Sequence, residues 1–202
     1  MPGLKSAGRK GALVIGRPNV GKTLFTINFA EFLGQRRLEV LFRPRDGASY
    51  TRLYSIGQAR ADLVDDHPHR TLCLQSVVLR VPRGKVAWRV VLTDSTGLTD
   101  DIHPASAVRR AMADTLRQVA DSVFILHVVD PAVPLAGVDL DILRYGRAHD
   151  GYAVLANKVD LPGRAAGALA LARAAVPVTV VPVSAMTRAG FGEVRAFVRR
   201  RL

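Results

Sequence analysis

Eight residues, Gly16-Arg17-Pro18-Asn19-Val20-Gly21-Lys22-Thr23, carry the spacing G-x-x-x-x-G-K-[ST]. The chemistry open to this pattern is phosphate binding. Its glycines let successive backbone N–H groups close around phosphate oxygens, and a helix starting at Lys22 adds the partial positive charge of its N-terminus. Lys22 would reach the β and γ phosphates. The Thr23 hydroxyl would complete an octahedral Mg²⁺ shell otherwise supplied by phosphate, water and a few protein groups. A chance match in about 200 residues is on the order of one per cent, so a ligand-free glycine turn is a weak competing explanation.

Three further motifs follow. Asp94-Ser95-Thr96-Gly97 gives D-x-x-G, in which a carboxylate holds Mg²⁺ through water and the Gly97 N–H senses the γ-phosphate. Asn157-Lys158-Val159-Asp160 can read a base. Guanine offers N1–H and its 2-amino group as parallel donors that Asp160 accepts together, a pair that adenine lacks. Asn157 supports the loop and the base edge, and the Lys158 stem covers the ring. Ser184-Ala185 can direct a backbone N–H to the guanine oxygen.

These motifs must be positioned by strands and helices. Short apolar runs alternate with amphipathic stretches, the pattern of an α/β domain with a largely parallel sheet. Strands are expected at Leu13–Ile15, 72–81, 85–93, Val123–Val129, Tyr152–Ala156 and Val178–Val183. The second and third form an antiparallel hairpin turned by Pro82, Arg83 and Gly84. Helices are expected from Lys22 to Gly34, over Ala105–Ala120, Val138–Arg147, Ala165–Ala174 and Phe191–Arg201. Phe25, Phe29 and Phe32 recur at i, i+4, i+7 and read as core. Residues 35–70 fit the rhythm worst, with a short strand expected at Leu38–Phe42 and a helix near Tyr50–Leu63.

In this order, each at a strand end, the four motifs resemble those of the translation-factor-related GTPases. Within that class Gly16-Arg17-Pro18-Asn19-Val20-Gly21-Lys22, together with Ala120 to Asp130 and Asn157 to Asp160, is similar to the Era, EngA and tRNA-modification GTPase group. The resemblance implies a P-loop NTPase G domain over 1–202, with a six-stranded, mostly parallel sheet, one antiparallel hairpin and about five helices. It also implies a GTP/GDP switch with Mg²⁺, with residues 35–70 as a divergent switch I region. Lys22, Asn19 and Gly97 would act on the phosphates. Leu98 stands where many small GTPases carry the Gln that orients water, and members with that substitution often use K⁺, held partly by an Asn at the position of Asn19. The switch I Mg²⁺ ligand would be Thr71, just before the hairpin, with Thr51 as the alternative. The usual Thr-Thr-Arg run is missing here. The chain ends at Leu202, just after the final expected helix, so the expected architecture is nearer to the single-domain ribosome-assembly GTPase EngB than to Era or EngA.

Composition bounds the remaining choices. The 202 residues carry 29 Lys plus Arg against 17 Asp plus Glu, a net charge of +12. Residues 1–93 hold 16 of these bases against 6 acids, so the excess lies in the first half and suggests a ribosomal RNA or ribosomal-subunit partner. Because 24 of the 29 bases are Arg, a general compositional bias is the competing account. No apolar run is long enough to span a membrane or serve as a signal peptide, so the expected location is cytoplasmic. Cys73 is the only cysteine, which excludes an internal disulfide and a cysteine-based zinc site. It reads as a buried core residue. The five histidines suggest no cooperative site; His67, His69 and His103 fall in expected loops. Two rivals remain. One is a GTP-sensing module acting through a partner or through a homodimer across the nucleotide face; the other is a P-loop ATPase, which would leave Asn157 to Asp160 without a role.

Overall fold

In the computed structural model, residues 10–44, 48–64, 73–83, 86–94 and 122–202 are described. Gly97, Leu98, Thr71, His67, His69, His103, the helix expected at Ala105–Ala120 and the Cys73 side chain lie outside the described residues. The elements, in chain order, are β1 (Lys10–Ile15), α1 (Lys22–Phe32), β2 (Arg37–Pro44), β3 (Tyr50–Ser55), α2 (Ile56–Leu63), β4 (Cys73–Arg83) and β5 (Val86–Asp94). They continue with β6 (Ile125–Val129), α3 (Val138–Gly146), β7 (Tyr152–Ala156), α4 (Arg164–Ala174), β8 (Thr179–Pro182) and α5 (Phe191–Arg201).

All eight strands among the described residues join one sheet in the order β3-β2-β4-β5-β1-β6-β7-β8. From β5 to β8 every neighbouring pair is parallel, whereas the β2–β3, β2–β4 and β4–β5 ladders are antiparallel. The parallel strands β6 and β7 are buried at every position, as strands covered on both faces must be.

The sheet therefore has two more strands than the six that the resemblance implies: β2 lies where a strand is expected at Leu38–Phe42, and β3 stands where a helix is expected. Tyr50–Ser55, expected to be helical, is a strand. Its aromatic and β-branched residues pair with β2 from Arg37↔Ser55 to Phe42↔Tyr50, and the Phe42 and Tyr50 rings stack at 5.0 Å. The helix begins only at Ile56, where a capping box starts it: the Ser55 side chain accepts from the Gln58 amide, and the Gln58 side chain accepts from the Ser55 N–H.

Alternation along β1 sends Ala12 and Val14 to one face of the sheet and Leu13 and Ile15 to the other, so each face has its own core. On the first, Phe25 and Phe29 of α1 meet Phe191 of α5 edge-on at 5.3 and 5.6 Å. Phe32 packs partly buried beside them. On the second, Ile142 and Leu143 of α3 close over β1, β6 and β7. Among the described residues no helix is long and apolar enough to cross a membrane.

Candidate nucleotide-binding site

The parallel strands all end at one edge of the sheet, and the motif loops leave from those ends. Residues 16–21 follow β1, Asp130 follows β6, Asn157–Asp160 follow β7, and Ser184–Ala185 come just after β8. Asp94 ends β5, level with Val14 on the neighbouring β1. In open α/β sheets this carboxyl edge is where ligands bind.

The loop after β1 has a backbone that its sequence alone allows. Gly16 has φ +146 and Gly21 φ +93, and Asn19, a residue type that tolerates the left-handed region, has φ 60. A Cβ on Gly16 would sit 2.1 Å from the Val128 carbonyl oxygen, and one on Gly21 would sit 2.5 Å from Asn157 Nδ2. Both glycines are thus required by close approach as well as by φ. Gly21 caps α1 with no side-chain hydrogen bond. Lys22 is 7% exposed, and its Nζ donates to the Arg17 carbonyl at 2.8 Å across the loop.

Asn157 ties the loop after β7 to residues 16–21. Its side chain is buried, its Nδ2 donates to the Val20 carbonyl at 2.7 Å, and its Oδ1 accepts the Ala185 N–H at 2.8 Å. The Ser184 N–H donates to the Ala189 carbonyl, so in this structure both backbone amides expected to serve a guanine oxygen are engaged within the protein. Asp160 is exposed at the mouth of the same loop. Lys158 has φ 65, and its Nζ lies 3.1 Å from Asp130, a residue that also accepts from Arg164 Nε at 2.9 Å and from the Ala132 N–H at 3.0 Å. Burial raises the Asp130 pKa, but these hydrogen bonds, that of Arg164 first, outweigh it and hold the carboxyl below its ordinary value.

Not every expected residue is gathered here. Thr51 lies on the edge strand β3, exposed and in register across the sheet with Leu41, Ser76, Thr93 and Leu13. Four strand spacings of about 4.8 Å place it roughly 19 Å from β1, away from Thr23.

No protein-family model and no curated protein matches the chain. Solved structures do. Aquifex aeolicus Era bound to GDP and AlF₄⁻ superposes with a TM-score of 0.59 at 16% identity, over 95% of this chain and 56% of that one. Era in complex with MgGDPNP and a segment of 16S ribosomal RNA gives 0.56 at 16% identity, over 96% and 58%. The G domain of the T. maritima FeoB iron transporter gives 0.60 at 17% identity, over 96% and 99%. This chain has the G-domain fold. It spans a little more than half of the Era chains and nearly all of the FeoB domain.

Beside residues 16–21 lies a polar network that the sequence patterns do not reveal. Arg17 Nε lies 2.6 Å from Asp139 Oδ2, and Asp139 Oδ1 lies 3.3 Å from Nε2 of the fully buried His127. The other ring nitrogen, Nδ1, is 2.7 Å from the Tyr152 hydroxyl. Since a carboxylate only accepts, His127 carries its proton on Nε2 and accepts from Tyr152 at Nδ1. The one available signal was a histidine inside the apolar run Ile125–Val129, which a buried strand tolerates only with partners.

Burial pushes the His127 pKa below its ordinary value, against the opposing hydrogen bond and charge of Asp139. The folded state then binds fewer protons than the unfolded state, whose histidine titrates near 6.5. Stability contributed by this group is full above about pH 6.5 and is lost progressively as pH falls from there toward the lowered folded pKa. The expected NMR result is a His127 ring that stays neutral on titration through pH 6.5; a midpoint at or above 6.5 contradicts this assignment.

Proposed function

We propose that this G domain binds guanine nucleotides with Mg²⁺ and hydrolyses GTP to GDP. The observation that carries the reading is the double hydrogen bond of Asn157. It fastens the base-reading loop to the phosphate loop, so that one ligand must satisfy both. The backbone cradle at Gly16 and Gly21 and the donor set of Lys22 and Thr23 fit a nucleotide phosphate with its magnesium ion. Thr23 and, through water, Asp94 would hold Mg²⁺, which when bound stabilises negative charge on the phosphates. Lys22 would exchange its bond to the Arg17 carbonyl for phosphate oxygens, and Gly97 would donate its N–H to the γ-phosphate. Asp160 would take the two guanine donors. A fluorescent GDP bound in Mg²⁺ buffer should be displaced by GTP and GDP but not by an equal concentration of ATP; equal displacement by ATP would remove the base assignment.

We further propose that K⁺ assists turnover beside Asn19, because Leu98 offers no polar group to orient water. Phosphate release from GTP should then be several-fold faster in KCl than in NaCl, and equal rates would exclude the ion. The excess charge supports RNA as the partner. Arg36, Arg37, Arg43, Arg52, Arg80 and Arg89 are all exposed on or beside β2 to β5, and Arg80 stands directly opposite Arg89, a placement that costs stability. Binding to ribosomal RNA should weaken steeply with added salt.

A further inference from the structure

The divergent segment reaches the base-reading loop through a continuous chain of hydrogen bonds. It starts on α2, where Arg60 Nε donates to Asn28 Oδ1 at 2.7 Å. Asn28, on α1 and 3% exposed, donates from Nδ2 to the Ala185 carbonyl at 2.7 Å. Across the 185 residue the N–H passes to Asn157 Oδ1, and Asn157 Nδ2 ends the chain on the Val20 carbonyl of the phosphate loop.

The direction of this chain is fixed at both ends: the Arg60 guanidinium only donates and the Ala185 carbonyl only accepts, so Asn28 turns its oxygen to Arg60 and its NH₂ to Ala185. Without Arg60, the buried Oδ1 of Asn28 loses its partner, and the side chain loses one of the two bonds that hold it in place. Glu31 makes a second tie, because one carboxylate oxygen takes Nη2 of Arg60 and, at 2.7 Å, Nη2 of Arg188. Arg188 has φ 67, and its N–H returns to the Ser184 carbonyl at 2.8 Å, so it belongs to the same loop. The segment after β2 is therefore bonded to residues 184–188 by two routes, both through α1.

We propose that Arg60 is a positioning residue for guanine recognition, acting through Asn28 and Ala185 to hold Asn157, and with it the loop that carries Asp160. The inference rests on the guanine-nucleotide reading of the site. Chains of buried hydrogen bonds reinforce one another, and leaving one member without its partner is costly, so the effect is carried into the loop.

The test measures GDP and ADP affinity and GDP release for the wild type, Arg60→Ala, Asn28→Ala and the double variant, with thermal melting of each nucleotide-free protein. Arg60→Ala is expected to speed GDP release about tenfold and to lower the GDP-to-ADP affinity ratio, the size expected for one buried hydrogen bond to a charged group. A merely structural loss reduces both nucleotides alike and leaves that ratio unchanged. The double variant should match the single ones, since all break one chain. Asn28→Asp keeps the acceptor for Arg60 but removes the donor to Ala185, and should behave as Asn28→Ala; it serves also where Arg60→Ala fails to fold. An unchanged ratio in Arg60→Ala and Asn28→Asp, or additive effects in the double variant, overturns the assignment. A wild-type protein that binds no guanine nucleotide overturns the site reading itself, whereas normal GDP binding indifferent to Arg60 removes only this role.

Discussion

Asp160→Asn is expected to exchange guanine for xanthine nucleotides, with the preference moving by at least about 100-fold. A carboxylate accepts two donors at once, which matches the N1–H and 2-amino group of guanine. An amide of the same size accepts one bond and donates one, which matches the N1–H and 2-oxo group of xanthine. The side chain is exposed at the mouth of its loop, so the change costs the fold little. The buried Asn157 beside it keeps the loop attached to Val20 and Ala185. Displacement of a fluorescent nucleotide by GDP and by XDP measures the exchange. A variant that still prefers GDP contradicts the role given to Asp160.

Lys22→Met is expected to lower GTP turnover by about 100- to 1000-fold, the loss usual when one preorganised donor to developing negative charge is removed. Lys22 is almost wholly buried, so its aliphatic stem fills space between the loop and α1 while its ammonium crosses the loop to the Arg17 carbonyl. Methionine retains most of that stem and removes the charge, separating electrostatics from packing. Phosphate release should collapse while the melting temperature of the nucleotide-free protein moves little. Turnover close to that of the wild type would show that Lys22 does not act on the phosphates.

Strong local patterns were legible in the sequence because their physics is local. The glycines of residues 16–21 need left-handed or crowded backbone wherever they occur, and the apolar runs at Tyr152–Ala156 and Ile125–Val129 can only be buried strands. Four of the five described helices and the two hairpin strands likewise fall where the sequence patterns place them, but Pro82 and Arg83, expected in the turn, extend β4 and pair with Ala87 and Val86. Residues 35–70 were misread over Tyr50–Ser55 because an isolated strand has no partner in its own sequence; its register comes from β2. The helix in that window begins only at the capping box of Ser55 and Gln58.

The networks were invisible for a different reason. Arg17 with Asp139, His127 with Tyr152, and Arg60 with Asn28 join residues far apart in the chain, and no single position announces its partner. From sequence His127 reads as one more core residue, yet its two ring nitrogens are both occupied by partners that only the fold supplies.

The measurement closest to the central claim is multiple-turnover phosphate release by the wild-type chain from GTP and from ATP, with Mg²⁺ and with EDTA. Phosphate is expected from GTP with Mg²⁺, little from ATP, and none from either in EDTA. Cleavage of ATP as fast as GTP, or no Mg²⁺-dependent cleavage of GTP, would contradict it.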